Sequence, residues 1–205
     1  MSEGQVRRRT GGRSARVRQA VLDATLQAMA EHGPDAVSVA EVARQAGVHE
    51  TSIYRRWGTR EQLILDALLS YSQQQLPVPD TGTLREDLVT FAHSVAHYLA
   101  GSLGKALTRS MAVSGDDPVL AANRAQFWQS RLDLARVMID RAVARGELPE
   151  DTDAAAALEL LIAPLHFRAL LTRQSIDDRH VRQLVDALLH GLLGSRQVAQ
   201  QLGST

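Results

Sequence analysis

The stretch Ser38–Arg60, SVAEVARQAGVHETSIYRRWGTR, decides the fold expected for this chain. Apolar residues repeat at a helical spacing through its first half, and Ser38 with Glu41 three residues later forms a capping box. Gly47 supplies a left-handed turn residue, because it lacks the Cβ that would clash there. Two short helices that cross at a glycine turn are typical of a helix-turn-helix unit, whose second helix enters a DNA major groove.

The motif alone leaves two classes of function open. Two amphipathic helices joined by a glycine turn also occur in all-α proteins that never contact DNA, so a short motif does not decide the function. The alternative to a DNA-binding protein is a helical protein-interaction module without DNA binding. The sequence on both sides of the motif favours DNA binding.

Basic residues are concentrated at the N-terminal end of a chain whose formal net charge is zero. Residues 1–60 hold ten arginines and six acidic residues, whereas residues 61–205 hold thirteen basic and seventeen acidic residues. A basic unit joined to a mildly acidic one is typical of a nucleic-acid-binding protein. Residues 1–15 carry four arginines among Gly, Ser and Thr and are predicted to form a disordered arm, either a solvated tail or a segment that contacts phosphates.

The composition argues against several other classes of protein. The absence of cysteine excludes disulfides, thiolate metal sites and cysteine nucleophiles. The sequence shows no glycine-rich phosphate loop and no nucleophile beside a base, so we predict neither enzyme activity nor a cofactor. His93 and His97 have a spacing that can hold a metal, but no third ligand accompanies them and no metal site is predicted. No apolar run is expected to span a membrane, and the predicted location is the cytoplasm.

Helical periodicity, caps and breakers predict an all-α chain of about nine helices. Capping boxes begin at Ser38, Thr59 and Thr83, while Asp117-Pro118 and Asp151 or Thr152 begin later helices. A three-helix DNA-binding domain is predicted over residues 16–60, followed by a second helical domain over residues 61–205. The predicted helices span about residues 16–32, two segments within 38–57, 59–75, 83–99, 105–113, 118–145, 152–171 and 178–193.

The N-terminal third of the chain resembles the TetR family of bacterial transcriptional repressors. The resemblance is carried by Val39–Ala43, Ala46–Val48, Ser52–Tyr54, Trp57 and Thr59-Arg60 followed by Leu63. It implies a ligand-responsive repressor that acts as a homodimer on a palindromic operator and is released by a small-molecule effector. His49 and Glu50 depart from the Ser or Thr and the Lys that many relatives carry, so no operator sequence can be transferred.

The chemistry of the second helix suggests a role for each polar side chain. Arg55 is the choice for base readout, because a guanidinium can donate two hydrogen bonds to guanine. His49, Thr51 and Ser52 lie near the helix start, which usually enters the groove first. Phosphate contacts are expected for the others, which position the protein without reading sequence. The predicted DNA-binding residues are Ser38, His49, Thr51, Ser52, Tyr54, Arg55, Arg56 and Arg60.

The second domain carries two further expectations. Its last two helices have more apolar surface than one flank of a monomer needs, so they are predicted to form a four-helix bundle with a second copy. The predicted interface residues are Leu158, Leu161, Ile162, Leu165, Val181, Leu184, Val185, Leu188 and Leu192. The resemblance also implies an effector pocket between the middle helices, with candidate lining residues Phe91, His93, His97, Tyr98, Met111, Phe127, Trp128, Arg131, His166 and Phe167.

Overall fold

A computed structural model describes residues 11–113 and 118–202, and these residues form nine α-helices without a strand among them. The all-α prediction with about nine helices is confirmed. A 3₁₀ turn at Pro34–Ala36 joins the first two helices, and a π-helical segment, Phe167–Thr172, continues the eighth. The helices are α1 Gly11–His32, α2 Val39–Ala46, α3 Glu50–Trp57, α4 Arg60–Gln75, α5 Leu84–Ala100, α6 Ser102–Val113, α7 Pro118–Ala144, α8 Ala154–His166 and α9 Asp178–Leu202.

Side-chain caps start five of the described helices, including α9, where the Asp177 carboxylate accepts the His180 N–H at 2.8 Å. The hydroxyls of Ser38, Thr59 and Thr83 accept the backbone N–H three residues later at 3.4, 3.2 and 3.4 Å, as the predicted capping boxes require. The cap of α8 is Asp153, whose carboxylate accepts the Ala156 N–H at 3.0 Å, so the predicted start at Asp151 or Thr152 is wrong. The predicted cap Asp117 lies outside the described residues.

Several helix boundaries differ from the sequence-based expectation, including the start of α6 at Ser102 instead of residue 105 and the end of α9 at Leu202 instead of residue 193. Helix α1 begins at Gly11, so residues 11–15 of the predicted arm are helical, while Arg7, Arg8 and Arg9 lie outside the described residues. The predicted helix through Leu171 changes to π geometry at Phe167. Pro164 precedes that change within α8 and has no N–H to donate to the preceding turn, which loosens the α-helical hydrogen-bond pattern.

The helices enclose two hydrophobic cores that meet at the middle of the chain. The N-terminal core joins α1–α4 with Leu107 and Met111 of α6 and Phe127 of α7. The C-terminal core joins α5, α7, α8 and α9, and Tyr71 of α4 packs against both cores. Helix α6 and the first part of α7 therefore complete the packing of the N-terminal helices, so the two halves of the chain share a continuous contact.

One described segment, Ala154–Thr172, is long and apolar enough to cross a membrane by length and composition. This corrects the expectation that no such run exists. The segment comprises α8 and the π-helical segment, and includes Glu159 and Arg168. Its inner face, which includes the fully buried Leu158 and Leu165, belongs to the C-terminal core, as in a core helix of a globular domain.

Candidate nucleic-acid interface and internal cavity

A tight turn at Gly47 sets the angle between α2 and α3. Gly47 adopts the left-handed conformation, with φ 67° and ψ 37°, and its N–H donates to the Arg44 carbonyl at 3.3 Å. The Val48 N–H donates to the Ala43 carbonyl at 3.0 Å, which closes the turn. Ile53 of α3 is buried in the N-terminal core beside Val42 of α2. The opposite face of α3 is therefore turned to solvent.

The outward face of α3 carries most of the residues that were predicted to bind DNA. Arg55 and Arg56 are exposed and form no ion pair with any acid in the described part of the chain. The Arg56 guanidinium lies over the Trp57 ring, 5.4 Å from its centroid. Ser52 is half-buried, and the remaining exposed polar residues of this face are His49, Thr51 and Tyr54.

The first turn of α3 begins without a side-chain cap. His49 has the extended backbone of an N-cap residue but makes no capping hydrogen bond with its side chain. Its carbonyl accepts the Ser52 N–H at 2.9 Å. The exposed His49 imidazole is therefore available for contacts outside the helix. It lies next to Glu50 at the N-terminal end of α3, the end of a recognition helix that usually enters the groove first.

Two predicted phosphate contacts have roles within the fold. Ser38 caps α2 through its hydroxyl. Arg60 donates from Nη1 to the Asp35 carbonyl at 2.8 Å and from Nε to Glu61 at 2.9 Å, which ties the start of α4 to the 3₁₀ turn. Burial and the Arg60 hydrogen bond shift the pKa of Glu61 in opposite directions, and the net shift is downward. A phosphate contact by Arg60 would have to share this guanidinium with both partners.

A half-buried carboxylate that sequence reasoning missed joins three helices. Arg18 of α1 donates from Nη2 to both oxygens of Asp66, at 2.7 and 2.8 Å. The Trp57 indole N–H, at the end of α3, donates to Asp66 Oδ2 at 2.8 Å. We call these three residues the Asp66 bracket. The available signal was Trp57 itself, since a half-buried indole N–H needs an acceptor.

A small internal cavity lies where α4, α5, α6, α7 and α8 meet. Its volume is about 30 Å³, room for about one or two water molecules, although thirteen side chains surround it. Seven predicted pocket residues line it: Phe91, Tyr98, Met111, Phe127, Trp128, Arg131 and His166. Six residues that were not predicted complete the lining: Ser72, Leu76, Val95, Thr108, Leu132 and Ile162.

Three predicted pocket residues lie elsewhere. His93 and His97 line an open surface cleft of about 730 Å³, where His93 Nε2 is 3.0 Å from Asp178 Oδ1. At 100° per residue, these positions are turned away from the face of α5 that carries Phe91, Val95 and Tyr98. Phe167 is 55% exposed. No cluster of three or more potential metal ligands occurs among the described residues.

The cavity combines aromatic walls with a few buried polar groups. Burial raises the pKa of Tyr98 to about 12, although the neighbouring Thr108 hydroxyl acts in the opposite direction. Burial also lowers the pKa of Arg131, which is 6% exposed and donates to the Leu76 carbonyl at 3.1 Å. These groups give an apolar site a small number of hydrogen-bonding points, as ligand pockets have.

His166 adds an acceptor to the same cavity. Its Nδ1 is 3.0 Å from the Ile162 carbonyl and must carry the proton to donate there, which leaves Nε2 of the neutral ring as an acceptor. Burial lowers the His166 pKa, more than the hydrogen bond to Ile162 raises it, so the neutral form is favoured. The ring meets Trp128 edge-on at 5.5 Å.

The predicted dimer residues mostly pack inside one subunit, which corrects their assignment to an intersubunit surface. Their side chains fill the C-terminal core because α8 and α9 pack on α5, and periodicity alone does not tell an inner face from an outer one. Ile162, Leu184 and Leu192 are only half-buried. The buried members are Leu158, Leu161, Leu165, Val181, Val185 and Leu188.

The exposed apolar residues near the end of α8 were not predicted. Leu160 is 64% exposed, Phe167 55% and Leu171 73%. They follow one another at spacings of seven and four residues, and the exposed Ala163 lies between the first two. Large apolar side chains grouped on one face are typical of a surface that another chain covers.

Comparison with known proteins matches both halves of the chain. Residues 21–67 match the family described as bacterial regulatory proteins, tetR family, and residues 78–188 match the tetracyclin repressor-like C-terminal domain. The HTH-type transcriptional regulator AqdR of Rhodococcus erythropolis is 38% identical over 179 residues, 87% of this chain and 86% of AqdR.

Two solved structures extend this comparison to the fold. The TetR family transcription regulator SCO0332 has a TM-score of 0.71 and 29% identity, over 85% of this chain and 97% of that one. The flavonoid-responsive regulator FrrA has a TM-score of 0.65 and 25% identity, over 88% of this chain and 97% of FrrA.

Proposed function

We propose that this chain, which belongs to the TetR family of bacterial transcriptional regulators, is a repressor that binds a palindromic operator as a homodimer and leaves it when a small molecule binds. The observation that carries the proposal is the outward face of α3, where Arg55 and Arg56 stand exposed without an acidic partner among the described residues. The protein would act in the cytoplasm, where its DNA is found.

The DNA contacts follow from where each side chain lies. Arg55 reads a base edge, because its guanidinium is exposed and can donate two hydrogen bonds to guanine O6 and N7. His49, Thr51 and Ser52 approach base edges at the start of α3. Tyr54 and Arg56 contact phosphates, and Arg60 and Ser38 support the same backbone from positions held by the fold.

The exposed apolar face around Leu160, Phe167 and Leu171 supports the homodimer. One α3 reads only a few base pairs, whereas a two-fold pair of α3 helices can read two half-sites one helical turn or a multiple apart. A two-fold interface buries the same patch on both copies, so this one apolar face is used twice.

The cavity supports the response to a small molecule. FrrA is described as flavonoid-responsive, and the cavity of this chain has the aromatic walls and few polar groups that suit a flat organic ligand. At about 30 Å³ the cavity is too small for such a molecule, so binding requires the surrounding helices to move.

Movement of the cavity walls would reach the DNA-binding helices directly. Met111 and Phe127 line the cavity and also belong to the N-terminal core, and α6 packs along α1. An effector that separates α6 and α7 from α4 therefore displaces α1–α3 in each subunit and changes the spacing of the two α3 helices. The effector acts only because it binds the spread state more tightly than the DNA-bound state.

The experiment measures binding to an inverted repeat from the DNA upstream of the gene, compared with a scrambled duplex of equal length. Arg55→Ala should weaken binding to the repeat by about 1–3 kcal/mol and relax its preference at one base pair. The matched control is Arg136→Ala, an exposed arginine of α7 that pairs with Asp140. Equal losses on both duplexes would contradict base readout by Arg55, and salt-insensitive or absent binding by the wild type would favour a protein-interaction module.

A further inference from the structure

A buried arginine without a carboxylate partner stands at the cavity wall. Arg131 of α7 is 6% exposed, and the structure gives its guanidinium a single hydrogen bond, from Nη2 to the Leu76 carbonyl. A buried guanidinium loses its hydration, and proteins normally compensate that loss with a nearby negative charge. Among the described residues, no acid forms an ion pair with Arg131.

Three other arginines of the described chain lie near a carboxylate. Arg18 pairs with Asp66, and Arg141 pairs with Asp80 at 2.9 Å. Arg145 lies 4.0 Å from the buried Asp87 carboxylate. Arg131 is more deeply buried than these three and forms no ion pair with an acid among the described residues. Arg131 therefore lines the cavity with no compensating carboxylate beside it among the described residues.

The other residues that line the cavity carry no negative charge, so a ligand would have to supply it. The thirteen lining side chains include no carboxylate, while Tyr98, Thr108 and His166 provide neutral polar groups. Tyr98 is close enough to Arg131 for the two groups to influence each other's pKa. Phe91, Phe127 and Trp128 supply flat apolar surface around them. This arrangement fits an aromatic body that bears one anionic group.

We infer that the effector is an aromatic carboxylate or a similar aromatic anion, whose charged group pairs with Arg131 inside the cavity. This inference rests on the proposed function, in which the cavity is the effector site. The anion replaces the missing partner of the guanidinium, and Tyr98 or His166 adds a hydrogen bond to the same ligand. A guanidinium suits a carboxylate because its planar N–H groups match both oxygens.

The competing explanation is that Arg131 only fastens the end of α4 through Leu76. The two explanations predict different stabilities for Arg131→Met, which keeps a long apolar side chain and removes the charge. An unpaired buried charge opposes folding, so its removal should leave the melting temperature of the ligand-free protein unchanged or raise it. A purely structural guanidinium would instead lower the melting temperature by several degrees when it is removed.

Calorimetric titration of the full chain tests the ligand class. The probes are 1-naphthoate and indole-3-acetate, each compared with its uncharged primary amide. For the wild type, at least one carboxylate should bind about 10- to 100-fold more tightly than its amide. Arg131→Met should reduce that preference to less than about threefold, while the control Arg136→Met, at an exposed position on the same helix, should keep it.

Each other outcome overturns the inference. Equal binding of acid and amide by the wild type would mean that the cavity binds ligands without regard to charge. A carboxylate preference that survives in Arg131→Met would place the anion elsewhere, and no binding of either acid at millimolar concentration would refute an aromatic carboxylate. These titrations contain no DNA, so their failure leaves the proposed operator binding intact, and loss of operator binding would leave the titrations interpretable.

Discussion

At the scale of single residues, Asp66 decides how the end of α3 is held. Its two oxygens accept Arg18 from α1 and the Trp57 indole from α3, while Asp66 itself lies on α4. Arg56 lies over the same Trp57 ring. The orientation of α3 thus depends on a charged hydrogen-bonded group that is half-buried, where such bonds are stronger than at a fully exposed surface.

We expect Asp66→Asn to lower the free energy of unfolding by about 1–3 kcal/mol, because an amide has one acceptor oxygen and no charge. Trp57→Phe removes only the indole donor and should cost about 1 kcal/mol. Urea denaturation measures both, and operator titration should show a further loss for Asp66→Asn. The control Asp140→Asn removes a solvent-exposed pair with Arg136 and should change stability by less than about 0.5 kcal/mol. Equal effects of the two asparagine variants would refute the bracket.

At the scale of elements, the corner between α5 and α6 sets the wall of the cavity. Gly104 in the first turn of α6 lies against the last turn of α5, and a Cβ built there would stand 2.2 Å from the Tyr98 carbonyl oxygen. Thr108, one turn further along α6, donates its hydroxyl to the Gly104 carbonyl at 2.8 Å and lines the cavity together with Tyr98. The close approach that Gly104 permits therefore brings Thr108 and Met111 of α6 to the cavity beside Tyr98 of α5.

Gly104→Ala should push α6 away from α5 and lower the free energy of unfolding by about 1–3 kcal/mol, because the clash is with backbone and cannot be relieved by a rotamer. Gly101→Ala is the matched control at the same corner. Its Cβ would meet the Tyr98 oxygen at 3.5 Å, an ordinary contact, and Gly101 has a φ of −65° that alanine adopts readily. Thermal unfolding compares the two variants, and similar melting temperatures would show that α6 is free to shift at this corner.

At the scale of the whole molecule, the surface proposed to pair two subunits is separate from the core that builds one subunit. The leucines of α8 and α9 that fill the C-terminal core offer no surface to a partner, whereas Leu160 and Leu171 are largely exposed. A second copy that packs on this face would bury apolar groups that the single chain leaves in water. We therefore propose this face as the homodimer interface.

We expect Leu160→Glu to convert the dimer to a monomer at micromolar concentration, because a two-fold interface would bury the unpaired carboxylate twice. Burial of these carboxylates should make the free energy of dimerisation less favourable by about 3–5 kcal/mol, which weakens dimerisation roughly 100-fold or more. Sedimentation velocity gives the oligomeric state, with Val119→Glu as a control at a residue of α7 that is 53% exposed. The assigned face would be wrong if Leu160→Glu remained dimeric or if the control dissociated equally.

Local patterns in the sequence determined the helices, three of their caps and the helix-turn-helix unit. Capping boxes, a left-handed glycine and the 3.6-residue repeat act within about four residues, so the chain displays them before it folds. The same local patterns located the exposed polar face of α3, whereas the seven cavity residues named from the sequence followed from the family resemblance. They also carried the resemblance to the TetR family that the comparisons confirm.

Only the tertiary structure decided which side of each helix meets which neighbour. Arg18 pairs with Asp66, which lies 48 residues away in the sequence, and Arg131 donates to the Leu76 carbonyl, which lies 55 residues away. The outward turn of His93 and the burial of Leu158 depend in the same way on how α5, α8 and α9 are rotated against each other. An apolar stripe predicts that one face of a helix is buried, but it does not identify the helix that packs there. That partner depends on surfaces that distant segments of the chain bring together.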